Sequence, residues 1–363
     1  MRIAYLFHLN QRSSAGVVKK ISNQAAAWTG RGHEVRLFQV TRDSAEGLRW
    51  EVPNEVLRYQ RGILGRLKVW SEARRRILSG NPDIVYYRYD LYYPGIARLA
   101  GSVPLVIEVN SNDLREYLLS VNTTGIYNLL TRNGLFRAAS GAVFVSRELA
   151  RSSDFSRLQA PCVVIGNSIS LQAHSELAPG RSDVPTLAFL GTDKQAWHGV
   201  DKILWLARAR KNWKFYLIGI SATPERERPD NVSFYGPMKA IDYRRLLAEC
   251  DVAIGSLAMH RNRMSEASPL KVREYLALGI PTVIGYNDTD FPREPDFLLN
   301  IGNTESNVAD NLGRIDSFVQ GWRGRRVPRQ DVAHLDSEVK ESARLSFFES
   351  LVGKGRSGGV GRI

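Results

Sequence analysis

Residues 265–284 read SEASPLKVREYLALGIPTVI, and this stretch contains both ends of one helix and the strand after it. Ser268-Pro269 marks the helix start, because a proline in the first turn gives up an N–H that would have no partner there. Gly279 ends the helix, and Pro281 prevents its continuation. The stretch therefore predicts a helix-to-strand unit of an α/β fold.

The start of this helix also predicts an anion-binding site. Residues 269–271 offer backbone amides and the positive end of the helix dipole, and Lys271 adds a full charge. Glu266 and Glu274 flank this start and are suited to holding hydroxyl groups on either side of a diphosphate. An ordinary capped helix with surface Glu and Lys residues is the alternative interpretation.

Outward from this stretch, apolar strands alternate with helical segments in both directions, which is typical of parallel α/β sheets. The predicted buried strands are Arg2–Phe7, Val35–Val40, Ile84–Tyr87, Leu105–Val109, Ala142–Val145, Cys162–Ile165, Thr186–Leu190, Lys214–Ile218, Val232–Tyr235, Val252–Ile254, Thr282–Ile284 and Phe297–Asn300. A chain of 363 residues with this pattern predicts two Rossmann-like domains facing across a cleft that holds the active site.

The domain boundaries follow from composition. We predict a first domain over residues 1–167, a linker over the Ser-, Pro- and Gly-rich segment 168–185, and a second domain over 186–336. A helix over 337–351 is expected to pack back on the first domain, and residues 353–363 are expected to form a disordered tail.

The charge is unevenly distributed. The chain has a net charge of +13, and residues 1–165 carry 23 Lys/Arg against 13 Asp/Glu. A basic first half predicts an anionic partner, and nucleic acid, an acidic membrane surface and a phosphorylated acceptor all qualify. No apolar run reaches the roughly 18 residues of a membrane span, the N-terminus predicts a strand, and we expect a cytoplasmic protein. Cys162 and Cys250 are expected to be core residues.

Three further segments complete a family resemblance. Residues 189–204 read FLGTDKQAWHGVDKIL, residues 86–89 read YYRY, and residues 104–110 read PLVIEVN. With Glu266 and Glu274 in E-x7-E spacing, the sequence resembles glycosyltransferase family 4. The resemblance implies a GT-B fold and retaining transfer of a hexose from a nucleotide-diphosphate sugar to a glycan or lipid-linked acceptor, in cell-surface polysaccharide or glycolipid biosynthesis. It implies no metal and no cofactor besides the co-substrate.

The resemblance also implies roles for the residues of the first motif. Glu266 would hold hydroxyl groups of the donor sugar, and Glu274 would hold the ribose. Lys271 would bind the diphosphate together with the backbone at Pro269 and Leu270. The expected stabilisation of the leaving group by these groups is the dominant catalytic contribution.

The sequence departs from the family pattern near the diphosphate. An Arg and a Lys that many members carry around the second motif are replaced by Thr192 or Asp193 and by His198. Lys194 compensates, or His198 donates a hydrogen bond instead. Gly16 would let the backbone approach the phosphates, with a simple turn glycine as the equal alternative.

On the acceptor side, Asn110 stands where many members have a histidine. Glu108 is a candidate general base or a structural strand residue. His8 ends the first strand, and it contacts the acceptor, caps a helix or packs in the core. Front-face displacement lets a departing diphosphate oxygen take the acceptor proton, so the reaction does not require a protein base.

Two other patterns have both a functional and a structural interpretation. Asp288-Thr289-Asp290 matches a D-x-D metal signature, and we interpret it as a turn. Residues 61–78 form an amphipathic basic helix that would lie on an anionic membrane with Trp70 at the interface, or would bury its apolar stripe in the core.

Other classes of function are less well supported. An epimerase or phosphorylase would show other acid–base residues or a lysine-bound cofactor, and a dehydrogenase would show G-x-G-x-x-G after a strand. A basic nucleic-acid-binding protein would leave Glu266 and Glu274 without a purpose, so we expect no nucleic acid partner. A degenerate homologue without transferase activity remains an alternative because of the departures at 192–198.

Overall fold

The protein folds into two compact units. The computed structural model describes residues 1–10, 15–42, 48, 50–60, 63–118, 123–180, 182–221 and 228–357. The first unit contains Met1–Ser168 and the C-terminal helix that begins at Ser337, and the second contains Ile169–Asp336. Each unit is built on its own parallel sheet.

The first unit has a seven-stranded parallel sheet in its described part. Its strands are β1 (Arg2–His8), β2 (Glu34–Arg42), β3 (Asn54–Tyr59), β4 (Ile84–Arg88), β5 (Leu105–Val109), β6 (Gly141–Phe144) and β7 (Cys162–Val164). The helices between them are α1 (Ala15–Gly30), α2 (Ile63–Ser79), α3 (Pro94–Ala100), α4 (Asp113–Leu118), α5 (Thr123–Ala138) and α6 (Arg147–Arg151). The sheet order is β3-β2-β1-β4-β5-β6-β7.

The second unit has a six-stranded parallel sheet and a separate pair of short strands in its described part. Its strands are β8 (Thr186–Leu190), β9 (Lys214–Ile218), β10 (Val232–Gly236), β11 (Val252–Ile254), β12 (Glu266–Ala267), β13 (Thr282–Ile284), β14 (Asn287–Asp288) and β15 (Leu298–Asn300). Its helices are α7 (Val200–Ala209), α8 (Ala240–Ala248), α9 (Leu270–Ala277), α10 (Asn307–Asp310) and α11 (Leu312–Trp322). The main sheet has the order β10-β9-β8-β11-β13-β15, and β12 pairs with β14.

Both sheets are doubly wound. The second sheet, and the first six strands of the first, have the Rossmann strand order, which reverses direction between β1 and β4 and between β8 and β11. Their central strands are apolar runs covered on both faces, as in β5, where all five residues are buried. The prediction of two Rossmann-like sheets is confirmed. Ligands in such sheets bind outside the carboxyl ends of the strands, at these switch points.

The C-terminal helix α12 (Ser337–Ser357) belongs to the first unit, where it packs against α1. The indole Nε1 of Trp28 in α1 donates a 2.8 Å hydrogen bond to the Glu341 carboxylate of α12. The helix includes residues 353–357, which the sequence had placed in a tail. Residues 358–363 lie outside the described residues.

In the structure, the second unit begins at Ile169, inside the predicted linker 168–185. Ile169 and Leu171 are buried in the core of the second unit. The backbone of Ile169 pairs with Leu335 (N to O, 3.1 Å), at the far end of the same unit in sequence. Composition predicted a linker because it reports local flexibility, whereas these two apolar side chains are fixed by contacts with distant residues. Residue 181 lies outside the described residues.

The basic helix predicted over 61–78 corresponds to α2, which begins at Ile63, and the stripe residues Trp70, Ala73 and Ile77 are core. Residues 61–62 lie outside the described residues. Trp70 is 2% exposed and stacks on Tyr93 with ring centres 4.6 Å apart. The predicted placement of Trp70 at a membrane interface is therefore wrong, and the cations of this helix form a solvated face in which Arg76 pairs with Glu72 (2.6 Å). None of the described helices combines the length and apolar character needed to cross a membrane.

Candidate functional site

Two loops meet at the switch point of the second unit, and they carry both sequence motifs. Residues 191–199 follow β8, and residues 255–269 follow β11, the neighbouring strand. A backbone hydrogen bond from Leu257 N to His198 O (3.1 Å) joins the two loops. The fold therefore places the Trp-His-Gly motif beside the segment that leads to Glu266 and α9.

Helix α9 begins immediately after the second of these loops. Pro269 is its N-cap residue, with an extended backbone (φ −71°, ψ 135°). The first amides of a helix have no intrahelical partner, but proline has no N–H. Of the residues 269–271 predicted to bind an anion, Leu270 and Lys271 therefore supply the amide donors and Pro269 supplies none.

Lys271 has a buried ammonium group that lacks an anionic partner among the described residues. Although part of the residue is accessible, its Nζ atom is buried and has no hydrogen-bond partner among the described residues. It lies 4.2 Å from the centre of the Phe189 ring, within cation–π range. Burial lowers the pKa of Lys271 from 10.5 to about 7. An unpaired buried cation is costly, and an anionic ligand would offset that cost.

His198 lies beside the same aromatic ring. Its ring centre is 5.2 Å from that of Phe189, and its buried Nδ1 has no hydrogen-bond partner in the described part of the chain. Burial, and next the charge of Lys271, lower the pKa of His198 to about 3, with a backbone contact at Thr192 opposing them. His198 is therefore neutral near pH 7. It does not replace a cation, but its ring can offer a hydrogen bond.

Gly191 makes room for this arrangement. A Cβ atom at this position would lie 3.1 Å from His198 Nδ1 and 2.3 Å from the Phe189 ring. A real Cβ does not approach other atoms at 2.3 Å, so a side chain here would displace Phe189. The glycine thus keeps the space next to His198 Nδ1 open.

Glu274 lies one turn into α9 and is held by neighbouring polar groups. Its carboxylate accepts a hydrogen bond from the Tyr243 hydroxyl of α8, at 3.0 Å to Oε1 and 3.1 Å to Oε2. His174 Nε2 lies 3.7 Å and Arg244 Nε 3.6 Å from Oε1. Burial, followed by the charge of Glu274, raises the pKa of Tyr243 well above its usual value, so this hydroxyl keeps its proton.

Two other predicted donor residues lie in the same region. Glu266 is half-buried in β12, in register with Asn287 of β14. Lys194 lies in the loop that contains His198, but it is exposed and has a left-handed backbone (φ 62°). The structure therefore gathers Lys271 and His198 at one point and leaves Lys194 at the surface.

Arg273 is a further residue of this region that the sequence did not single out. It is fully buried, and its guanidinium binds both oxygens of Asp288 (2.6 and 2.9 Å), Asp290 (2.8 Å) and Ser268 Oγ (2.8 Å). Burial by itself would lower the Arg273 pKa, but the two carboxylates hold it above its usual value. The clamp fixes Ser268, next to the N-cap Pro269. No one-dimensional signal distinguishes Arg273 from a surface residue of an amphipathic helix.

The D-x-D segment is thus engaged with an arginine. Asp288 lies in β14, and both aspartates of the segment pair with Arg273. Among the described residues, no group of three or more His, Cys, Asp or Glu side chains is arranged to hold a metal ion.

In the first unit, Glu108 lies in a cluster of buried charges. Its carboxylate contacts Lys20 Nζ (2.9 Å) and Arg88 Nη1 (3.3 Å). Burial would raise the Glu108 pKa, but Lys20, Arg88 and Arg344 hold it well below its usual value. A carboxylate with so little affinity for protons is a poor general base, so these contacts favour the structural interpretation of Glu108.

The other predicted acceptor-side residues also lie in the first unit. Asn110 Oδ1 accepts a hydrogen bond from Lys20 Nζ (2.6 Å), and its buried Nδ2 has no partner within the described ranges. His8 ends β1 between Asp90 (Nδ1 to Oδ2, 2.9 Å) and Tyr59 (Nε2 to OH, 2.8 Å). Both ring nitrogens of His8 are therefore engaged within the protein.

Gly16 lies in the first turn of α1 and is exposed. It is helical, so the interpretation of Gly16 as a turn residue does not apply. Residues 11–14, between β1 and α1, lie outside the described residues. An approach of Gly16 to phosphate groups stays a prediction.

The two sheets define a class of fold, the GT-B fold of glycosyltransferases. Sucrose-phosphate synthase from Thermosynechococcus elongatus has a TM-score of 0.74 at 13% identity, covering 98% of this chain and 100% of that chain. The lipopolysaccharide outer core galactosyltransferase WaaB in its apo form scores 0.68 at 14% identity, covering 98% and 100%. HepE from Anabaena in complex with UDP-glucose scores 0.65 at 15% identity, covering 96% and 99%.

The sequence of the first unit matches a family as well. Residues 15–168 match the family model described as a glycosyl transferase 4-like domain. A search of curated proteins finds no match for the chain. Residues 15–168 of the first unit thus resemble a glycosyl transferase 4-like domain, in a chain whose two sheets have the strand orders of the GT-B fold.

Proposed function

We propose that the protein is a retaining glycosyltransferase that moves a hexose from a nucleotide-diphosphate sugar to a glycan or lipid-linked acceptor, in cell-surface polysaccharide or glycolipid biosynthesis. One observation carries this proposal. Lys271 Nζ and His198 Nδ1 are both buried, both without a partner among the described residues, and both next to the first turn of α9. A diphosphate supplies the charge and the acceptors that these groups lack.

The residues then take distinct parts in binding the donor. Lys271 neutralises charge on the diphosphate, and the amides of Leu270 and Lys271 complete the phosphate subsite. Neutral His198 donates a hydrogen bond in the tautomer that carries its proton on Nδ1. Glu274 binds the ribose and Glu266 binds hydroxyl groups of the hexose. Because these protein groups supply the stabilisation of the leaving group, we expect transfer to proceed at the same rate with and without a chelator of divalent metals.

In the proposed reaction, the bond between the anomeric carbon and the diphosphate oxygen breaks, and its electron pair stays on the diphosphate. The acceptor oxygen forms the new bond on the same face and passes its proton to the departing diphosphate. The low pKa and full burial of Glu108 support a reaction that does not use this carboxylate as a base.

The donor nucleotide and the acceptor are proposed here as chemical classes. HepE has been solved with UDP-glucose, and a shared fold makes UDP the first nucleotide to test. The basic first half supports an anionic acceptor. Exposed Ile126, Leu129 and Leu130 on α5 (57–76% exposed) support an acceptor with a lipid part.

The test is a thermal-shift screen of the full chain against UDP, GDP, ADP and CMP and their sugar conjugates. A ligand at a hundred times its Kd stabilises the folded protein by about 2.7 kcal/mol. We expect a shift with one nucleotide class, reduced in both Lys271→Met and Glu274→Ala. The control is Lys214→Met, at the exposed amino end of β9, on the opposite edge of the sheet.

An absence of any shift at millimolar nucleotide with intact protein would overturn the proposal. Retention is checked separately, by NMR of the anomeric proton in donor and product. A product with inverted anomeric configuration would still identify a glycosyltransferase, but it would rule out the front-face reaction.

A further inference from the structure

The carboxylate proposed to bind the ribose is already occupied by Tyr243. The hydroxyl of Tyr243 lies almost equally far from both oxygens of Glu274, at 3.0 and 3.1 Å. An atom equidistant from two carboxylate oxygens lies across the edge that joins them. The side chain of Glu274 is 9% exposed, so a ligand has little other access to it.

Two further neighbours restrict the carboxylate. His174 Nε2 and Arg244 Nε both lie on the Oε1 side, at 3.7 and 3.6 Å. His174 is itself fixed, because its Nδ1 is 2.7 Å from the Ser170 carbonyl oxygen, which only accepts a hydrogen bond. A ligand that needs Glu274 therefore competes for the edge that Tyr243 covers.

Two vicinal hydroxyls bind a carboxylate through that same edge, one to each oxygen. They cannot do so while a third hydroxyl lies between the two oxygens. The Tyr243 hydroxyl donates to a charged group, and such hydrogen bonds contribute more than neutral ones. A ribose must therefore replace this contact with at least an equivalent pair.

We propose that Tyr243 is a specificity-determining residue of the nucleoside subsite, whose hydroxyl must be displaced from Glu274 by the two ribose hydroxyls. This inference rests on the ribose role of Glu274 in the proposed function. Nucleotides without the diol gain nothing from Glu274 and bind without displacing Tyr243. Tyr243 thus determines how strong the hydrogen bonds from a nucleotide's ribose must be before they can displace its hydroxyl from the carboxylate.

The test compares two ligands by isothermal titration calorimetry of the full chain, UDP and 2′,3′-dideoxy-UDP. In Tyr243→Phe the competing hydroxyl is absent and the ring remains. We expect UDP to bind about tenfold more tightly, the equivalent of one charge-assisted hydrogen bond. The affinity of dideoxy-UDP is expected to stay within about twofold, because it does not use Glu274.

The chain offers a matched control. Tyr216 in β9 also donates its hydroxyl to a carboxylate, Glu249 Oε2 at 2.8 Å, and Tyr216→Phe removes the same group from the same unit. We expect no change for either ligand. Circular dichroism of each variant checks that the fold is retained.

Weaker or unchanged UDP binding in Tyr243→Phe would overturn the inference, because Tyr243 would then support Glu274 or the nucleotide. An equal increase in the affinities for UDP and dideoxy-UDP would overturn the inference too, because the effect would then not depend on the two ribose hydroxyls. The variant Glu274→Gln tests the ribose role of Glu274 separately from the displacement of Tyr243. If this variant binds UDP as well as the wild type, the ribose role of Glu274 fails and the Tyr243 inference falls with it.

Discussion

Each of the two units buries a lysine near the end of its parallel sheet, and the two lysines have contrasting surroundings. In the first unit, Lys20 Nζ lies 2.9 Å from Glu108 and 2.6 Å from Asn110 Oδ1. In the second, Lys271 Nζ faces an aromatic ring and has no hydrogen-bond partner in the described part of the chain. Burial lowers both pKa values, to about 8 for Lys20 and about 7 for Lys271.

The difference separates a structural charge from one prepared for a ligand. Removing the cation of Lys20 leaves the buried Glu108 carboxylate with fewer counter-charges, which destabilises the fold. Removing the cation of Lys271 leaves no carboxylate uncompensated among the described residues of the free protein, which then loses only its ability to attract an anion. Four measurements test this contrast.

Lys271→Met should lower kcat/KM for sugar transfer by about a thousandfold, because the charge that stabilises the leaving diphosphate is lost. The melting temperature should not fall, since a buried unpaired ammonium is replaced by an apolar side chain of similar length. Steady-state kinetics and calorimetry measure the two quantities. A large drop in stability would place Lys271 in the same structural category as Lys20.

Lys20→Met should instead lower the stability of the folded protein. We expect a loss of about 3 kcal/mol in the free energy of unfolding, because Glu108 is nearly fully buried and loses its closest cation. Urea denaturation measures the loss, and Lys68→Met, on the exposed face of α2, serves as the control. Unchanged stability would show that Arg88 and Arg344 suffice for Glu108.

The affinity for UDP should fall as pH rises above about 7. In the free protein Lys271 loses its proton near that pH, whereas a bound diphosphate favours the charged form. Binding above pH 7 therefore requires proton uptake, and the affinity should drop by up to about tenfold per pH unit. Titration calorimetry at pH 7, 8 and 9 measures the slope, and Lys271→Met should remove it.

His198→Phe should have the smallest effect, a weakening of UDP binding by about tenfold, the low end of what one hydrogen bond to a charged acceptor contributes. With a pKa near 3, His198 does not change charge between pH 6 and 9. The weakening should therefore be the same across that range. A loss that grows toward low pH would indicate that His198 binds the diphosphate as a cation.

Much of the fold is predictable from the sequence. Five strands have the predicted bounds, and each is an apolar run bounded by turn residues: Leu105–Val109, Thr186–Leu190, Lys214–Ile218, Val252–Ile254 and Thr282–Ile284. Strand β3 was missed because it lies at the sheet edge and has exposed and half-buried residues in place of an apolar run. The linker was misplaced because the contacts of Ile169 are with residues far away in sequence.

The residue types at the start of α9 and in the loop after β8 can be read from the sequence of the candidate site. Helix caps, glycine positions and motif spacing are local properties, so Lys271, His198 and Glu274 could be named without coordinates. Which charges are already satisfied becomes visible only in the folded protein. Glu108 obtains its cations from α1, β4 and α12, and Arg273 obtains its carboxylates from beyond β13, whereas Lys271 obtains none among the described residues. The physical reason is that the electrostatic state of a buried group depends on neighbours brought close by the whole fold.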